Sequence, residues 1–240
     1  MQWSYGITTV PSRKDDLFPR TLTSLARAGF DKPWIFVDDC SSRSVTEDYR
    51  YELEVTNHWP KIRTAANWTL ALAEIYLRQP TAERYAIFQD DLVTYRNLRE
   101  YLERTPYPKG GYFNLYTFPA NEKLAQGRVG WYESNQRGRG AVALVFDRAG
   151  VLTLLGSNHL WDRAADPDRG WRSIDGGIVT AFNLAGGKEY VHSPSLVQHV
   201  GLTSSMGNRP HPQAPNFRGE GYDALRFLQE TGQTCNPSET

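Results

Sequence analysis

A single α/β domain, with a mostly parallel central sheet flanked by helices, is the fold class this chain predicts, and three observations predict it. Short apolar runs suited to buried strands alternate with segments whose apolar residues recur at helical spacing. The strand-like runs end in polar and acidic residues, most plainly Tyr85-Ala86-Ile87-Phe88, which is followed by Gln89-Asp90-Asp91. The 240 residues contain no internal repeat and no linker that forces two domains, and they suffice for a substantial core.

Taken in order, residues 4–10 read as a first strand that Pro11-Ser12-Arg13 breaks. Leu22, Leu25 and Ala26 then repeat at helical spacing until Gly29 offers a stop. Trp34-Ile35-Phe36-Val37 reads as a second buried strand, ending in Asp38-Asp39. A helix over 63–77, with Trp68, Leu72 and Ile75 on one face, leads to the strand that ends in Gln89-Asp90-Asp91. This βαβαβ pattern implies parallel strands joined by right-handed crossovers. Leu98, Tyr101 and Leu102 mark a further helix ahead of Thr105-Pro106-Tyr107-Pro108. In the second half 112–116 and 141–146 read as strands. The polar stretch between them, holding Gly127, Gly130, Gly138 and Gly140, reads as a mobile loop over a site. Ile174-Asp175-Gly176-Gly177 opens a helix that carries Ile178 and Phe182 and closes at Gly186-Gly187; Tyr190-Val191 is a short strand. From Thr203 onward the Pro-, Gly- and Asn-rich sequence predicts a tail draped over the surface.

Composition narrows the function. Lys and Arg number 27, as do Asp and Glu, so no global field recruits nucleic acid or an anionic membrane. Seven Trp and 13 Tyr exceed what a core needs, and their faces suit nucleobases and sugars. Cys40 and Cys235 are too few for a disulfide-stapled domain, which makes reduced thiols the default. With no signal region at the start and no run of membrane-spanning length, the expectation is a cytoplasmic enzyme. Asn67-Trp68-Thr69 matches a glycosylation sequon but falls inside a helical pattern, so it carries no weight.

The chemistry lies at the strand ends, since ligands of open α/β sheets bind outside the carboxyl ends of the strands. A hard divalent cation takes oxygen ligands and shares its shell with substrate phosphates, so Asp90-Asp91 reads as half of a metal–diphosphate site. Alone, such a pair is better explained as a solvated turn. Its neighbours shift that balance. Thr8, Thr9 and Arg13 leave the first strand with hydroxyls and a guanidinium for ribose and phosphates, and Asp38 and Asp39 end the second with acceptors for a uracil imide or a ribose hydroxyl. Asp175, ahead of two glycines at a helix start, is either an N-cap or, at the rim of a site, a general base. Trp171 and Arg172 upstream of it could frame an acceptor. His199 is either a structural hydrogen-bonder or part of a metal shell with Asp91.

The Pro-Ser-Arg turn, the strand ending in Asp-Asp, the helix with Asn67-Trp68, and Phe88-Gln89-Asp90-Asp91 in the position of an Asp-x-Asp motif resemble the GT-A class of nucleotide-sugar glycosyltransferases over roughly 3–205. Ser195-Leu196-Val197-Gln198-His199-Val200-Gly201-Leu202-Thr203-Ser204-Ser205 is similar to the end of the catalytic domain in N-acetylglucosaminyltransferase IV-like enzymes. The resemblance implies a single GT-A (Rossmann-like) domain over 1–205, with a nucleotide-binding half of about 1–95 and an acceptor-binding half of about 96–205. Residues 206–240 come after it as an extension packed on the domain or partly mobile. It implies Mn²⁺ or Mg²⁺ held by Asp91, with His199 as a second metal or diphosphate contact, and Asp90 near the ribose or a metal-bound water. Thr8, Pro11, Arg13, Asp38, Asp39, Arg63, Asn67 and Gln89 then surround the nucleotide sugar, a UDP-sugar by expectation, and Trp131 joins Trp171 and Arg172 at the acceptor. Asp175 falls where inverting members keep the base. The first motif position is Gln89 instead of an acid, so metal binding is expected to survive with weaker dependence.

The acceptor stays open between a glycan, a lipid-linked intermediate, a protein and a hydroxymethylated base in phage DNA. For DNA, Arg137, Arg139, Arg163, Arg169 and Arg172 could line a basic groove, with a flipped base against Trp131 or Trp171; a solvated surface explains those arginines too. Two other functions compete. A catalytically silent nucleotide- or sugar-binding protein needs only the crevice and the aromatics. A sugar-phosphate nucleotidyltransferase shares the layout but carries a Gly-rich loop with a basic residue after its first strand, which Thr8-Thr9-Val10-Pro11 is not.

Overall fold

A computed structural model describes residues 1–38, 53–165, 174–201 and 212–232. Asp39, Cys40, Arg169, Trp171, Arg172 and Cys235 lie outside them, as does the end of the Ser195-to-Ser205 motif beyond Gly201.

The strands are β1 (Trp3–Thr9), β2 (Trp34–Asp38), β3 (Val55–His58), β4 (Arg84–Gln89), β5 (Leu92–Thr94), β6 (Tyr112–Asn114), β7 (Gly130–Glu133), β8 (Ala143–Asp147), β9 (Glu189–Ser193) and β10 (Val197–His199). The helices are α1 (Leu17–Arg27), α2 (Arg63–Arg78), α3 (Leu98–Arg104), α4 (Pro119–Ala125), α5 (Arg148–Leu155), α6 (Asn158–Ala165), α7 (Ile174–Leu184) and α8 (Arg226–Glu230). Eight strands form the central sheet in the order β3-β2-β1-β4-β8-β6-β9-β7. Six run one way, and only β8 and β7 run against them, so the predicted α/β class with a mostly parallel sheet holds.

Alternation along each buried strand feeds two cores, one on each face. Ile7, Ile35, Val37, Ala86 and Phe88 face α1 and α3, where Phe18, Leu25, Leu98 and Tyr101 cover them. Phe36, Tyr85, Ile87 and Phe146 face the other way, onto Trp68 and Leu72 of α2 and Ile178 and Phe182 of α7. Gly6 is required where β1 meets β2, because a Cβ there would lie 2.5 Å from the Phe36 ring. α1 ends as expected at Gly29, whose φ of 96° a side-chain-bearing residue rarely adopts.

Two segments differ from expectation. The glycine-rich stretch between 127 and 140 is bolted down: it contains β7, which pairs with β9, and Gln136 clasps the Glu189 backbone through both ends of its amide, at 2.9 and 3.0 Å. Its glycines serve turns, with φ of 57° at Gly138 and 75° at Gly140. Residues 212–232 are more than a tail draped over the surface: they pack on the domain and add to its core. Ala224, Phe227 and Leu228 join the α1/α3 cluster, Gln198 holds the Ala214 backbone at 2.8 and 3.1 Å, and Arg96 exchanges backbone hydrogen bonds with Tyr222 and Ala224. The segment's Pro and Gly content masked an apolar core contribution made by a few residues.

Candidate functional site

The parallel strands β1 and β4 end side by side, with Thr8 opposite Gln89, so the residues just beyond them share one edge of the sheet. After β1, Pro11 opens a single 3-10 turn, where its fixed φ and missing N–H cost nothing. That turn sends Arg13 inward to 8% exposure, with Nη2 3.5 Å from Asp91 Oδ2. After β4 the chain turns at Asp90-Asp91 and enters β5, which pairs antiparallel with β10. That pairing sets His199 opposite Leu92, and His199 Nε2 reaches Asp91 Oδ2 at 3.2 Å. The Val200 amide donates to the Asp91 carbonyl at 2.8 Å. Gly201 then passes so close that a Cβ would sit 2.5 Å from Asp91 Oδ2.

Asp90 points to the other side. Its Oδ2 accepts from the Thr9 hydroxyl at 2.6 Å, and its carbonyl accepts from Thr21 at 2.8 Å. Burial and then the adjacent Asp91 charge push its carboxyl up to about 7, against the opposing pull of Thr9 and Arg13. Thr9, Arg13, Asp90, Asp91 and His199 thus form one buried polar cluster at the carboxyl edge of the sheet.

Asp175 reaches the same edge from α7. Its Oδ2 accepts from the Gly140 amide at 2.7 Å and the Ala141 amide at 3.3 Å, so the carboxylate ties α7 to the segment entering β8. Val142 in that segment accepts from the Gln89 amide at 2.8 Å, which puts Asp175's anchor directly beside the Gln89-Asp90-Asp91 turn.

The remaining predicted residues make contacts within the scaffold. Thr8 donates to the Phe88 carbonyl at 3.4 Å. Asp38 Oδ1 accepts from the Ile62 amide at 2.8 Å, joining the end of β2 to the entrance of α2. Asn67 bonds His58 Nδ1 at 2.6 Å and the Phe36 carbonyl at 3.3 Å, while His58 Nε2 meets Glu74 at 2.9 Å. Arg63 opens α2 with a left-handed φ of 65°, a conformation that concentrates at functional sites. Trp131, half-buried, stacks on Phe113 at 3.7 Å and meets His192 edge-on at 5.0 Å, packed against the α1/α3-side core. Of the arginine group, Arg139 lies over the Phe118 ring, and Arg163 packs against Gly177 of α7.

Sequence reasoning missed two supports of this cluster and two residues beside Asp175's anchor. Thr21, on the buried face of α1, bridges the Asp90 and Leu92 backbones at 2.8 to 3.1 Å. A threonine inside an apolar helical stripe is the signal that could have revealed it. Gly201 was legible only as a glycine two places after His199, and Asn114 and Glu189, which bond each other and brace the Arg139 carbonyl next to Gly140, left no local signal.

Among the described residues, no group of three or more His, Cys, Asp or Glu side chains is arranged to hold a metal ion. Asp91 Oδ2 and His199 Nε2 do converge, and a carboxylate oxygen with an imidazole nitrogen suits Mn²⁺ when substrate oxygens supply the rest of the shell. That donor set fits a cation bound jointly with a diphosphate. Among the described residues, no helix is long and apolar enough to cross a membrane.

No family model matches the chain, and no curated protein matches it in sequence. The fold is nevertheless shared with solved structures. GalNAc-T7 with UDP, GalNAc and Mn²⁺ superposes over 95% of this chain and 48% of its own, with a TM-score of 0.53 and 12% identity. Mannose-1-phosphate geranyltransferase from Thermus thermophilus covers 80% of this chain and 74% of its own, with a TM-score of 0.48 and 16% identity. S. aureus TarS covers 80% of this chain and 36% of its own, with a TM-score of 0.49 and 12% identity. The chain therefore spans about half of the GalNAc-T7 chain it resembles. Identities this low show fold alone, and the fold is Rossmann-like, of the GT-A kind.

Proposed function

We propose that this chain is a metal-dependent glycosyltransferase that moves a sugar from a UDP-sugar to an acceptor hydroxyl with inversion. The observation that carries this reading is the buried convergence of Arg13, Asp90, Asp91 and His199 at the carboxyl edge of β1 and β4. The GalNAc-T7 likeness, a structure holding UDP and Mn²⁺, supports it at the level of fold. Asp91 and His199 would hold Mn²⁺ or Mg²⁺, and such a cation, when bound, offsets the charge gathering on the departing diphosphate. Arg13 adds a fixed positive charge for the same phosphates. The anomeric carbon–oxygen bond to the diphosphate breaks, and a new bond forms from the acceptor oxygen on the opposite face. Asp175 accepts the hydroxyl proton.

The test is isothermal titration of UDP and GDP, and of their common sugar conjugates, with and without Mn²⁺, on the wild type and on Asp91→Ala. Metal-dependent binding of UDP, lost in the variant, is the expected result. Absence of nucleotide binding under every condition sinks the reading. Binding with no UDP release from any conjugate makes the chain a silent binder.

A further inference from the structure

We infer that Asn114 and Glu189 are positioning residues that set the orientation of Asp175 through one peptide unit of the segment entering β8. The inference rests on Asp175 as the base. Both side chains are buried, at 1% and 2% exposure, on the adjacent strands β6 and β9. Glu189 Oε1 accepts from the Tyr112 hydroxyl at 2.9 Å and from Asn114 Nδ2 at 3.0 Å, and Ser134 donates to its Oε2. Asn114 Nδ2 also donates to the Arg139 carbonyl at 3.2 Å.

That carbonyl and the Gly140 N–H belong to the same peptide unit. The group Asn114 grips at its oxygen is therefore the group that donates to Asp175 Oδ2 from its nitrogen, at 2.7 Å. A hydrogen bond to the carbonyl polarises the unit and strengthens donation at its other end. The Ala141 amide adds a second bond to the same carboxylate oxygen, so the plane of the carboxylate is set by this backbone. The backbone itself has no slack. A Cβ at Gly138 would overlap the Asp175 carbonyl, and one at Gly140 would overlap the Tyr116 ring.

Glu189 explains why Asn114 stays in place. A buried carboxylate is costly where an apolar residue would pack, and burial pushes this one up from its ordinary value. Ringed by three donors, it holds the Asn114 amide at the angle that reaches Arg139. A small displacement of a catalytic group costs rate without weakening substrate binding.

The test compares Asn114→Ala, the isosteric Glu189→Gln, Asp175→Asn and the wild type. UDP release is followed from UDP-GlcNAc, UDP-GalNAc, UDP-glucose and UDP-galactose with Mn²⁺, water standing in for the acceptor. Hydrogen exchange is followed at the Gly140 and Ala141 amides. The expected result is a kcat loss on the order of tenfold or more in both positioning variants, with KM and the UDP–Mn²⁺ dissociation constant within about twofold. Exchange at Gly140 and Ala141 should accelerate while the amides of β1 and β4 keep their protection. Wild-type kcat in both positioning variants, with Asp175→Asn inactive, overturns this inference and leaves the base intact. Wild-type kcat in Asp175→Asn, or no UDP release by the wild type, overturns the base and this inference with it.

Discussion

Lowering the pH should destabilise the folded state through His192, and the size of the effect follows from how its burial and two hydrogen bonds resist a second proton. The ring is fully buried, with Nδ1 2.7 Å from the Pro194 carbonyl and Nε2 2.8 Å from the Tyr101 hydroxyl. A carbonyl only accepts, so Nδ1 carries the hydrogen and Nε2 accepts from Tyr101. A second proton would have to displace that bond inside an apolar core. Burial lowers the imidazole from 6.5 to about 4; Arg218 pushes the same way, while the Pro194 carbonyl and Glu230 oppose. The unfolded chain therefore takes up a proton below about pH 6.5 that the folded state refuses until about pH 4, and stability falls as pH drops through that window. Each pKa unit is worth about 1.4 kcal/mol, so the loss is about 3 kcal/mol. Asp90 and Glu189, both raised, act in the opposite sense, with stability lost as pH rises. Urea unfolding at a series of pH values on the wild type and on His192→Gln separates them, because the two acids are common to both proteins. The stability difference between the proteins should shrink by about 3 kcal/mol between pH 7 and pH 4. A difference independent of pH refutes the reasoning.

Packing gives two further outcomes. Phe227→Ala removes a ring with no exposed surface from the α1/α3-side core and should cost about 3–5 kcal/mol by chemical denaturation; a loss below about 1 kcal/mol would mean that the C-terminal segment is peripheral. Gly201→Ala places a methyl 2.5 Å from Asp91 Oδ2 and should weaken UDP–Mn²⁺ binding about tenfold or more by titration, with the thermal midpoint shifted by only a few degrees; unchanged affinity would separate Gly201 from the site.

The first half of the fold was legible because its signals are local. Alternation of buried runs and helical spacing reports which face of an element is covered, and the runs at β1, β2 and β4 are long enough for that pattern to be unambiguous. β3 was not legible: Val-Thr-Asn-His is short and mostly polar, and it becomes a strand by pairing with β2. β7 and α4 were hidden for a related reason, since the glycines and polar residues around them read as loop, while β7 becomes a strand by pairing with distant β9 and Asn121 of α4 accepts from the Asn135 amide just beyond β7.

The sequence by itself determined that carboxylates and a guanidinium would gather where parallel strands end, because hydrophobic periodicity sets where each strand stops and which residues come next. Only the tertiary structure decided which of them meet. His199 reaches Asp91 because β10 pairs with β5, Arg13 reaches it because a proline-led turn folds back, and Asp175 reaches the same edge because two backbone amides of a glycine-bearing loop bind it. Asn67 meets His58 and Trp131 stacks on Phe113, contacts that no local pattern announced. Pairing register and long-range hydrogen bonds join residues far apart in the chain, and no local pattern of residue types encodes which partner a side chain will find.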